Sequence, residues 1–242
     1  MILNLLHLGR IDYASALAVQ RRLVDARHEE RIGNTLLLLE HPPVLTLGRN
    51  SYRSNIVVND EFLAYRGVEV HEINRGGDVT YHGPGQLVGY PIIDLRSFTP
   101  RLGAVEYVRW MEEALIRTCG DFGVTTGRVA GRTGVWTIPG GSVREKKIAA
   151  IGVHISRGIT SHGFALNVTT DLRDFDLIVP CGITDRAVTS LEVEVDTAAQ
   201  PDLSLERVGH AVARQFGRVF DHQVLWLESL ADLLPEQTPL LQ

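Results

Sequence analysis

The sequence predicts a single α/β domain, because apolar runs of strand length alternate along it with amphipathic helices. Thr35 to Leu39 is a solid apolar run, as strands in the middle of a sheet usually are, and Leu87 to Leu95 is predicted to be another apolar strand. Ala104 to Phe122 repeats apolar residues at helical spacing and is the clearest helix of the chain. The chain has 242 residues with no internal repeat or long linker, so one domain, residues 1–242, is the simplest organisation.

The first hundred residues read as strands separated by short helices. Ile2 to Leu8 is predicted to be a strand that ends at Gly9, and Asp12 is predicted to cap a helix that runs to about His28. His41-Pro42-Pro43 predicts a stiff, exposed corner that suits a substrate-side loop, although a plain strand connection fits it equally well. The other elements predicted here are a strand at 44–47, a helix at 60–65 and a strand at 68–73.

The second half of the chain pairs two long strands and ends in a helix. Apart from His154, Ile148 to Ile155 is apolar on both alternating faces, which predicts burial on both, and a turn at Arg157-Gly158 leads into a strand from Ser161 to Val168. A C-terminal helix is predicted at about 202–222, capped by Asp202 or Ser204, with a frayed tail from about 235. The remaining predicted elements are strands at 124–130, 134–138 and 188–195 and a turn at 171–177.

Composition and charge exclude several classes of protein. The formal net charge is −5, from 24 Lys and Arg against 29 Asp and Glu, so nucleic acid is not an expected partner. No apolar run approaches the length of a membrane span, so a membrane is not an expected partner either. The first ten residues do not read as a signal peptide, and two cysteines form no disulfide framework. We therefore expect a cytoplasmic protein.

A lysine and a cysteine lie at the two ends of the stretch 147–181, around which the rest of the domain is predicted to pack. Lys147 stands at the mouth of a long apolar strand, where an ammonium is costly to desolvate without a partner. Cys181 lies between Pro180, which fixes the backbone, and Gly182, which lets a substrate come close. An ammonium beside a thiol favours the nucleophilic thiolate. Taken singly, the lysine also fits a solvated strand cap, and the cysteine a small buried hydrophobe. Cys119, the other cysteine, falls on the apolar face of the clearest helix and is predicted to be structural.

Residues 75–86, RGGDVTYHGPGQ, form a glycine-rich block with four glycines among its first eleven residues. Few side chains cover such a backbone, so its amides can follow an extended ligand or line an anion pocket. The spacing matches neither a phosphate-binding P-loop nor a dinucleotide fingerprint. A hairpin with a glycine-rich turn explains the block equally well on these observations.

Several sequence motifs resemble the bacterial lipoyl(octanoyl) transferases of the biotin and lipoate protein ligase superfamily. They are RGGDVTYHGPGQLVGYP at 75–91, KIAAIG at 147–152, SHGFALN at 161–167 and PCGI at 180–183. LLLEHPPVLTLGR at 37–49 is similar to the early strand–loop–strand of that family, so the resemblance covers about 35–190. It implies an α/β fold with a central mixed sheet and packed helices.

The resemblance also implies a reaction and its partners. An octanoyl group would pass from octanoyl-acyl carrier protein to a lysine of a lipoyl domain, in a 2-oxoacid dehydrogenase complex or the glycine cleavage H protein. Cys181 would carry the octanoyl group as a thioester, while Lys147 first lowers the pKa of the thiol and later accepts the proton of the incoming amine. Because exchange between thioesters is nearly isoenergetic, we expect no ATP, no cofactor and no metal.

The same resemblance implies which residues hold the acyl chain, with His162 and His41 as candidates for positioning it. Acyl carrier proteins are acidic, so we also expect a basic docking patch made of Arg49, Arg53, Arg144 and Lys146. The implied substrate-binding residues are Arg75, Gly76, Gly77, Asp78, Val79, Thr80, Tyr81, His82, Ala150, Ile151, Gly152, Gly163, Phe164 and Ala165.

Two other functions fit parts of the sequence. An ATP-dependent lipoate or biotin ligase shares the fold and uses a lysine, but it does not need a cysteine at position 181. A non-catalytic acyl- or carrier-binding module would keep the glycine-rich block, but it has no reason to keep both Lys147 and Cys181.

Overall fold

Helices separate groups of strands along the described part of the chain. A computed structural model describes residues 1–138, 144–179, 187–196 and 202–234. The strands are β1 (Ile2–Arg10), β2 (Asn34–Glu40), β3 (Val44–Leu47), β4 (Glu69–Glu72), β5 (Thr80–His82), β6 (Gln86–Ile92), β7 (Thr126–Val129), β8 (Arg132–Thr137), β9 (Lys147–Ser156), β10 (Ile159–Asn167) and β11 (Gln223–Leu227). The α-helices are α1 (Tyr13–His28), α2 (Asp60–Tyr65), α3 (Ala104–Asp121), α4 (Leu191–Glu194), α5 (Leu205–Val219) and α6 (Leu230–Leu233).

The larger sheet is mixed and has eight strands in the order β11-β1-β2-β6-β10-β9-β8-β7. The pairs β11–β1 and β1–β2 are parallel, and every later pair in that order is antiparallel. This arrangement confirms the predicted α/β fold with a central mixed sheet. Strand β2 lies inside the sheet, between β1 and β6, which explains why the predicted central strand is apolar throughout.

Helices cover both faces of this sheet. Leu36 and Leu38 of β2 pack in the same core as α3 and α5, whereas Leu37 and Leu39 pack in the core beneath α1. The alternation follows from the two-residue period of a strand, which sends successive side chains to opposite faces. The buried faces of α3 and α5 are long and apolar, so both helices were predictable, as was α1.

The helix boundaries follow capping chemistry. Asp12 accepts a hydrogen bond from the backbone N–H of Ser15 at 2.8 Å and caps α1 as predicted. Of the two predicted caps for α5, Ser204 is the one that accepts, from the backbone N–H of Arg207 at 3.2 Å. Cys119 is fully buried in α3, and burial raises the pKa of its thiol to about 12, so the predicted structural role is confirmed.

A second, three-stranded sheet in the order β4-β3-β5 was not predicted. It has its own apolar core, which includes Leu45, Leu63, Tyr81 and Leu177. Strand β5 pairs with β3, whereas β6 pairs with β2 and β10, so the two strands of the glycine-rich block belong to different sheets. The hairpin interpretation of that block is therefore wrong.

Four local predictions are also wrong. Residues 188–195 form no edge strand, because Ser190 caps the short helix α4 and Val188 makes an isolated bridge to Lys147. His41 is fully buried rather than part of an exposed corner. Strand β1 continues through Gly9 to Arg10, with a register irregularity there. Beyond Ala149, β9 is only half-buried, because one of its faces borders a cavity instead of a helix.

The C-terminal part is partly as predicted. The predicted helix at 202–222 is α5, but β11, which adds a parallel strand to the edge of the large sheet, was missed. The predicted tail from 235 lies outside the described residues. Within the described ranges, no helix has both the length and the apolar character that crossing a membrane requires.

Candidate active site

A cavity of about 500 Å³ opens where the glycine-rich block crosses β9 and β10. The crossing is close: the backbone N–H of Gly76 donates to the carbonyl of Val153 at 2.9 Å. A Cβ atom on Gly152 would stand 2.8 Å from the carbonyl oxygen of Gly76, so the crossing requires glycine at position 152. The motifs at 75–86 and 147–152 therefore meet in space and form two walls of one chamber.

Most of the predicted site residues lie in the wall of this cavity. The resemblance implied their binding roles, which stay predictions. Those in the wall are Arg75, Gly77, Asp78, Val79, Thr80, His82, Lys147, Ala150, Ile151, Gly152, His162, Gly163, Phe164 and Ala165.

Three predicted residues do not line the cavity. Tyr81 alternates with its neighbours along β5, so its side chain enters the core of the small sheet and its hydroxyl donates to Asp174 at 2.6 Å. Gly76 instead makes the backbone hydrogen bond to the carbonyl of Val153. His41 lies behind the wall, with its ring centroid 5.9 Å from that of His82.

Sequence reasoning missed other residues of the wall. Gln86 and Asn167 stand inside the quoted motifs, so they could have been chosen, whereas Tyr13 and Trp136 are single residues in an ordinary helix and strand. The missed wall residues are Tyr13, Gln86, Tyr90, Gly131, Arg132, Thr133, Trp136, Asn167, Phe175, Ile178, Ala187 and Val188.

Lys147 begins β9 at the edge of the cavity. Its backbone N–H donates to the carbonyl of Ala187 at 3.1 Å, and its own carbonyl accepts from the N–H of Thr189 at 2.9 Å. Its ammonium nitrogen lies 4.8 Å from the ring centroid of Trp136. The side chain is half-buried, so the charge stands between the apolar wall and solvent.

Cys181 lies outside the described residues, but the chain enters and leaves its segment at the cavity. Ile178, before the segment, and Ala187, after it, both line the wall. The N–H of Val179 donates to the carbonyl of Asn55 at 2.8 Å, which fixes the incoming chain. The outgoing chain is fixed by the two backbone hydrogen bonds to Lys147.

A hydrogen-bonded chain of side chains ties the glycine-rich block to this outgoing segment. The Nδ1–H of His82 donates to the Gln86 Oε1 at 2.8 Å, and the Gln86 amide donates to the Asn167 Oδ1 at 2.9 Å. The Asn167 amide then donates to the carbonyl of Thr189 at 2.9 Å. Because each donor has a matched acceptor, the chain holds the far wall and the segment after Cys181 in one arrangement.

Arg75 fixes the start of the glycine-rich block. Its guanidinium is buried and donates to the carbonyl of Thr46 at 2.7 Å, to the Thr46 hydroxyl at 2.9 Å and to the carbonyl of Gly76 at 3.1 Å. These contacts join the small sheet to the cavity wall and bring a positive charge close to the chamber.

The histidines around the cavity are neutral. Burial lowers the pKa of His82 to about 3, and it lowers the pKa values of His41 and His162 to about 4. Neutral His41 donates from Nδ1 to the carbonyl of Ile11 at 2.7 Å, which leaves Nε2 to accept from the Tyr90 hydroxyl at 2.7 Å. His162 bonds the Asn74 Oδ1 through Nε2 at 2.8 Å.

These buried histidines predict a loss of stability in mild acid. Their pKa values in the folded protein lie below the unfolded value of about 6.5, so the unfolded state takes up protons first as the pH falls. The free energy of unfolding should fall by about 1.4 kcal/mol per pH unit for each histidine between pH about 6.5 and about 4.

Urea denaturation of wild type and His82→Gln, measured from pH 7 to pH 5, checks this expectation. Glutamine keeps a donor for Gln86 but does not titrate, so the pH slope should flatten by about the contribution of one histidine. His210→Gln, which removes an exposed histidine of α5, is the control for the loss of a histidine outside the cavity. Equal slopes in wild type and His82→Gln would contradict the expectation.

The cavity combines an apolar wall with a charged group at its edge. Phe164, Ala165 and Ile151 give an apolar wall, and Lys147 supplies a cation at its edge. Among the residues that the structure describes, no cluster of three or more histidine, cysteine or acidic side chains is arranged to hold a metal ion.

Comparison with known proteins places this chain in a family. The model of the lipoyl protein ligase A/B catalytic domain matches residues 12–217. The chain is similar to an octanoyltransferase of Acidobacterium capsulatum, with 78% identity over 247 residues and 100% of each chain covered.

Two solved structures share the fold at low identity. A bipartite lipoate protein ligase from Thermoplasma acidophilum, described with its E2 lipoyl domain, has a TM-score of 0.71 at 18% identity and covers 95% of this chain and 87% of its own. A lipoate-protein ligase A bound with ATP has a TM-score of 0.70 at 18% identity, and the match covers 98% of this chain and 94% of the ligase chain. At this identity the two likenesses show a shared fold and nothing about the activity.

Proposed function

We infer that this chain, which belongs to the lipoyl protein ligase A/B catalytic domain family, is an octanoyltransferase of lipoate biosynthesis. The observation that carries the inference is the full-length identity of 78% to an octanoyltransferase. The cavity supports it, because an apolar chamber with a lysine at its edge suits a fatty acyl group whose reactive carbonyl stays near a charge.

The first half of the proposed reaction loads the enzyme. Cys181, as a thiolate, attacks the thioester carbonyl of octanoyl-acyl carrier protein, and the carrier thiolate leaves as the Cys181 thioester forms. Lys147, as an ammonium, stabilises the Cys181 thiolate and then supplies a proton to the departing carrier thiolate. One thioester replaces another, so this step needs no ATP.

The second half unloads the enzyme onto a lipoyl domain. The lysine amine of that domain attacks the Cys181 thioester, an amide forms, and the Cys181 thiolate leaves. The proton lost by the amine passes to Lys147, which became neutral in the first half. Amide formation from a thioester runs downhill, so again no ATP is required. The cycle restores both the thiolate and the ammonium.

The partners are proposed from the same chemistry. An octanoyl donor held as a thioester on acyl carrier protein and an acceptor lysine on a lipoyl domain are the two substrates that this cycle needs. A reducing compartment such as the cytoplasm suits a mechanism that depends on a free thiol.

The basic docking patch expected for the carrier is less available than the sequence predicts. Arg53 forms an ion pair with Asp60, and the Lys146 ammonium lies 3.0 Å from the Glu194 carboxylate. These two side chains serve contacts within the chain, so of the four residues predicted for the patch, exposed Arg49 is a better candidate than Arg53 or Lys146 for meeting an acidic carrier.

One assay tests the proposed function against its alternatives. Purified protein is incubated with octanoyl-acyl carrier protein and an apo lipoyl domain, with and without ATP, and the lipoyl domain is weighed by intact mass spectrometry. We expect an octanoylated lipoyl domain without ATP. Modification that requires free octanoate and ATP would instead indicate a ligase, and binding without modification would indicate a carrier-binding module.

A further inference from the structure

Trp136 and Lys147 lie opposite each other on neighbouring strands. Their Cα atoms are partners in the β8–β9 register, next to an irregularity in that pairing. The Lys147 ammonium nitrogen lies 4.8 Å from the centroid of the indole ring, and Trp136 itself is 3% exposed. An ammonium over an indole face is attracted by the electrons of the ring, and more strongly where water is excluded.

The backbone beneath the lysine is shaped for this contact. Gly134 has a φ of +123° and no side chain, and a Cβ atom there would stand 3.4 Å from the Lys147 Cε. The buried Glu112 carboxylate of α3 accepts a hydrogen bond from the Gly134 N–H at 3.1 Å. The stem of Lys147 therefore runs over a fixed glycine before its ammonium reaches the ring.

Other charged side chains line the cavity or contact the Trp136 ring. The Arg132 guanidinium carbon lies 5.8 Å from the centroid of the Trp136 ring, so a second cation shares the indole. Asp78 and Arg75 also line the cavity, together with the neutral histidines 82 and 162. The Arg132 guanidinium repels an ammonium nearby, and the attraction of the ring opposes that repulsion at Lys147.

We propose that Trp136 is a positioning residue of the transfer reaction, whose indole ring holds the Lys147 ammonium at the edge of the acyl cavity. The proposal rests on the proposed function for the role of Lys147. By favouring the ammonium over the amine, the ring sets the pH at which Lys147 changes from a cation that activates a thiol to a base that accepts a proton.

The chain provides an internal control, because Lys146 and Lys147 are its two lysines. The Lys146 ammonium is bound by Glu194 at 3.0 Å, and the same carboxylate accepts from the Thr189 hydroxyl at 2.6 Å. The Lys146 ammonium thus pairs with a carboxylate, whereas the Lys147 ammonium also contacts an aromatic ring. Nuclear magnetic resonance of protein labelled with ¹³C at the lysine ε carbon therefore gives two signals, and Lys147→Met assigns them.

The experiment titrates both signals in wild type, Trp136→Leu and Trp136→Phe, without any substrate. In wild type, the Lys147 ε protons should be shifted upfield relative to those of Lys146, because they lie over the face of an aromatic ring. In Trp136→Leu, the upfield shift should vanish and the titration midpoint of Lys147 should fall by about one pH unit, while that of Lys146 stays the same. Trp136→Phe should show a smaller fall and keep part of the upfield shift.

Two results would overturn the proposal. One is the absence of the upfield shift in the wild-type protein, which needs no variant and so does not depend on whether Trp136→Leu folds. The other is a Lys147 midpoint that matches wild type in a folded variant. The pH profile of amine transfer from preformed acyl-enzyme should move down with the midpoint. If the midpoint moves and this profile does not, the ring contact stands and the proposed role of Lys147 as the base fails.

Discussion

Cys181→Ser should reduce octanoyl transfer by about a thousandfold or more, because a serine hydroxyl does not ionise near neutral pH and cannot replace a thiolate nucleophile. The matched control is Cys119→Ser, which changes the other thiol of the chain. Cys119 is fully buried in α3, and the high pKa of its thiol keeps it protonated, so this control should retain transfer as long as it folds.

The site of acylation can be located directly. Wild-type protein is incubated with octanoyl-acyl carrier protein alone, and its tryptic peptides are then weighed by mass spectrometry. We expect one octanoyl group, on the peptide that contains Cys181. An octanoyl group on Cys119, or full transfer by Cys181→Ser, would rule out the thioester mechanism proposed for this enzyme.

Lys147→Met should separate the two half-reactions. Methionine keeps an apolar stem over Gly134 and removes the charge, so the fold should survive. Without the ammonium, the Cys181 thiol should titrate near the free value of about 8.5, and its alkylation at pH 7 should become roughly tenfold slower. Raising the pH should restore acylation by supplying thiolate, but transfer to the amine should recover less, because the proton acceptor is still absent.

The measurement is the rate of iodoacetamide alkylation between pH 6 and pH 10, together with the amount of acyl-enzyme present at high pH. Acyl-enzyme should accumulate in Lys147→Met and not in wild type. Lys147→Arg is a useful second variant, because arginine keeps a cation but cannot accept a proton in this pH range. Compared with Lys147→Met, it should restore alkylation without restoring amine transfer. An alkylation profile unchanged in folded Lys147→Met would leave Lys147 as a structural cation.

Most of the large sheet and its helices could be predicted, because each of these elements carries its own local pattern. Strand β2 is apolar throughout and α5 has an apolar stripe, so neither depends on knowledge of its neighbours. The small sheet could not be predicted in the same way. Residues 44–47 were predicted as a strand, but nothing in four residues says that their partners are β4 and β5 rather than β2.

The residues of the cavity wall could be predicted where they belong to the quoted sequence motifs. Glycine and histidine positions in the quoted motifs fell in its wall, whereas Tyr81 did not, because the block contains a strand whose side chains alternate. Nothing in the sequence around Trp136 marks it as a residue of the cavity wall. Its place beside Lys147 depends on an irregular pairing between two strands, and such a register is fixed by the whole sheet rather than by the residues themselves.

The place of β1 in the large sheet has a consequence for the order in which this enzyme folds. Strand β1 is paired with β2 on one side and with β11 on the other, in a register that joins Ile2 to Gln223. During synthesis the first strand is therefore an open edge until almost the whole chain has been made, and closing that edge brings together residues from opposite ends of the sequence. Contacts of such long range are slow to form, and an unpaired edge can meet another chain in the meantime. The strand that closes this edge, β11, is synthesised late and lies at the opposite end of the strand order from β8 and the cavity wall beside it.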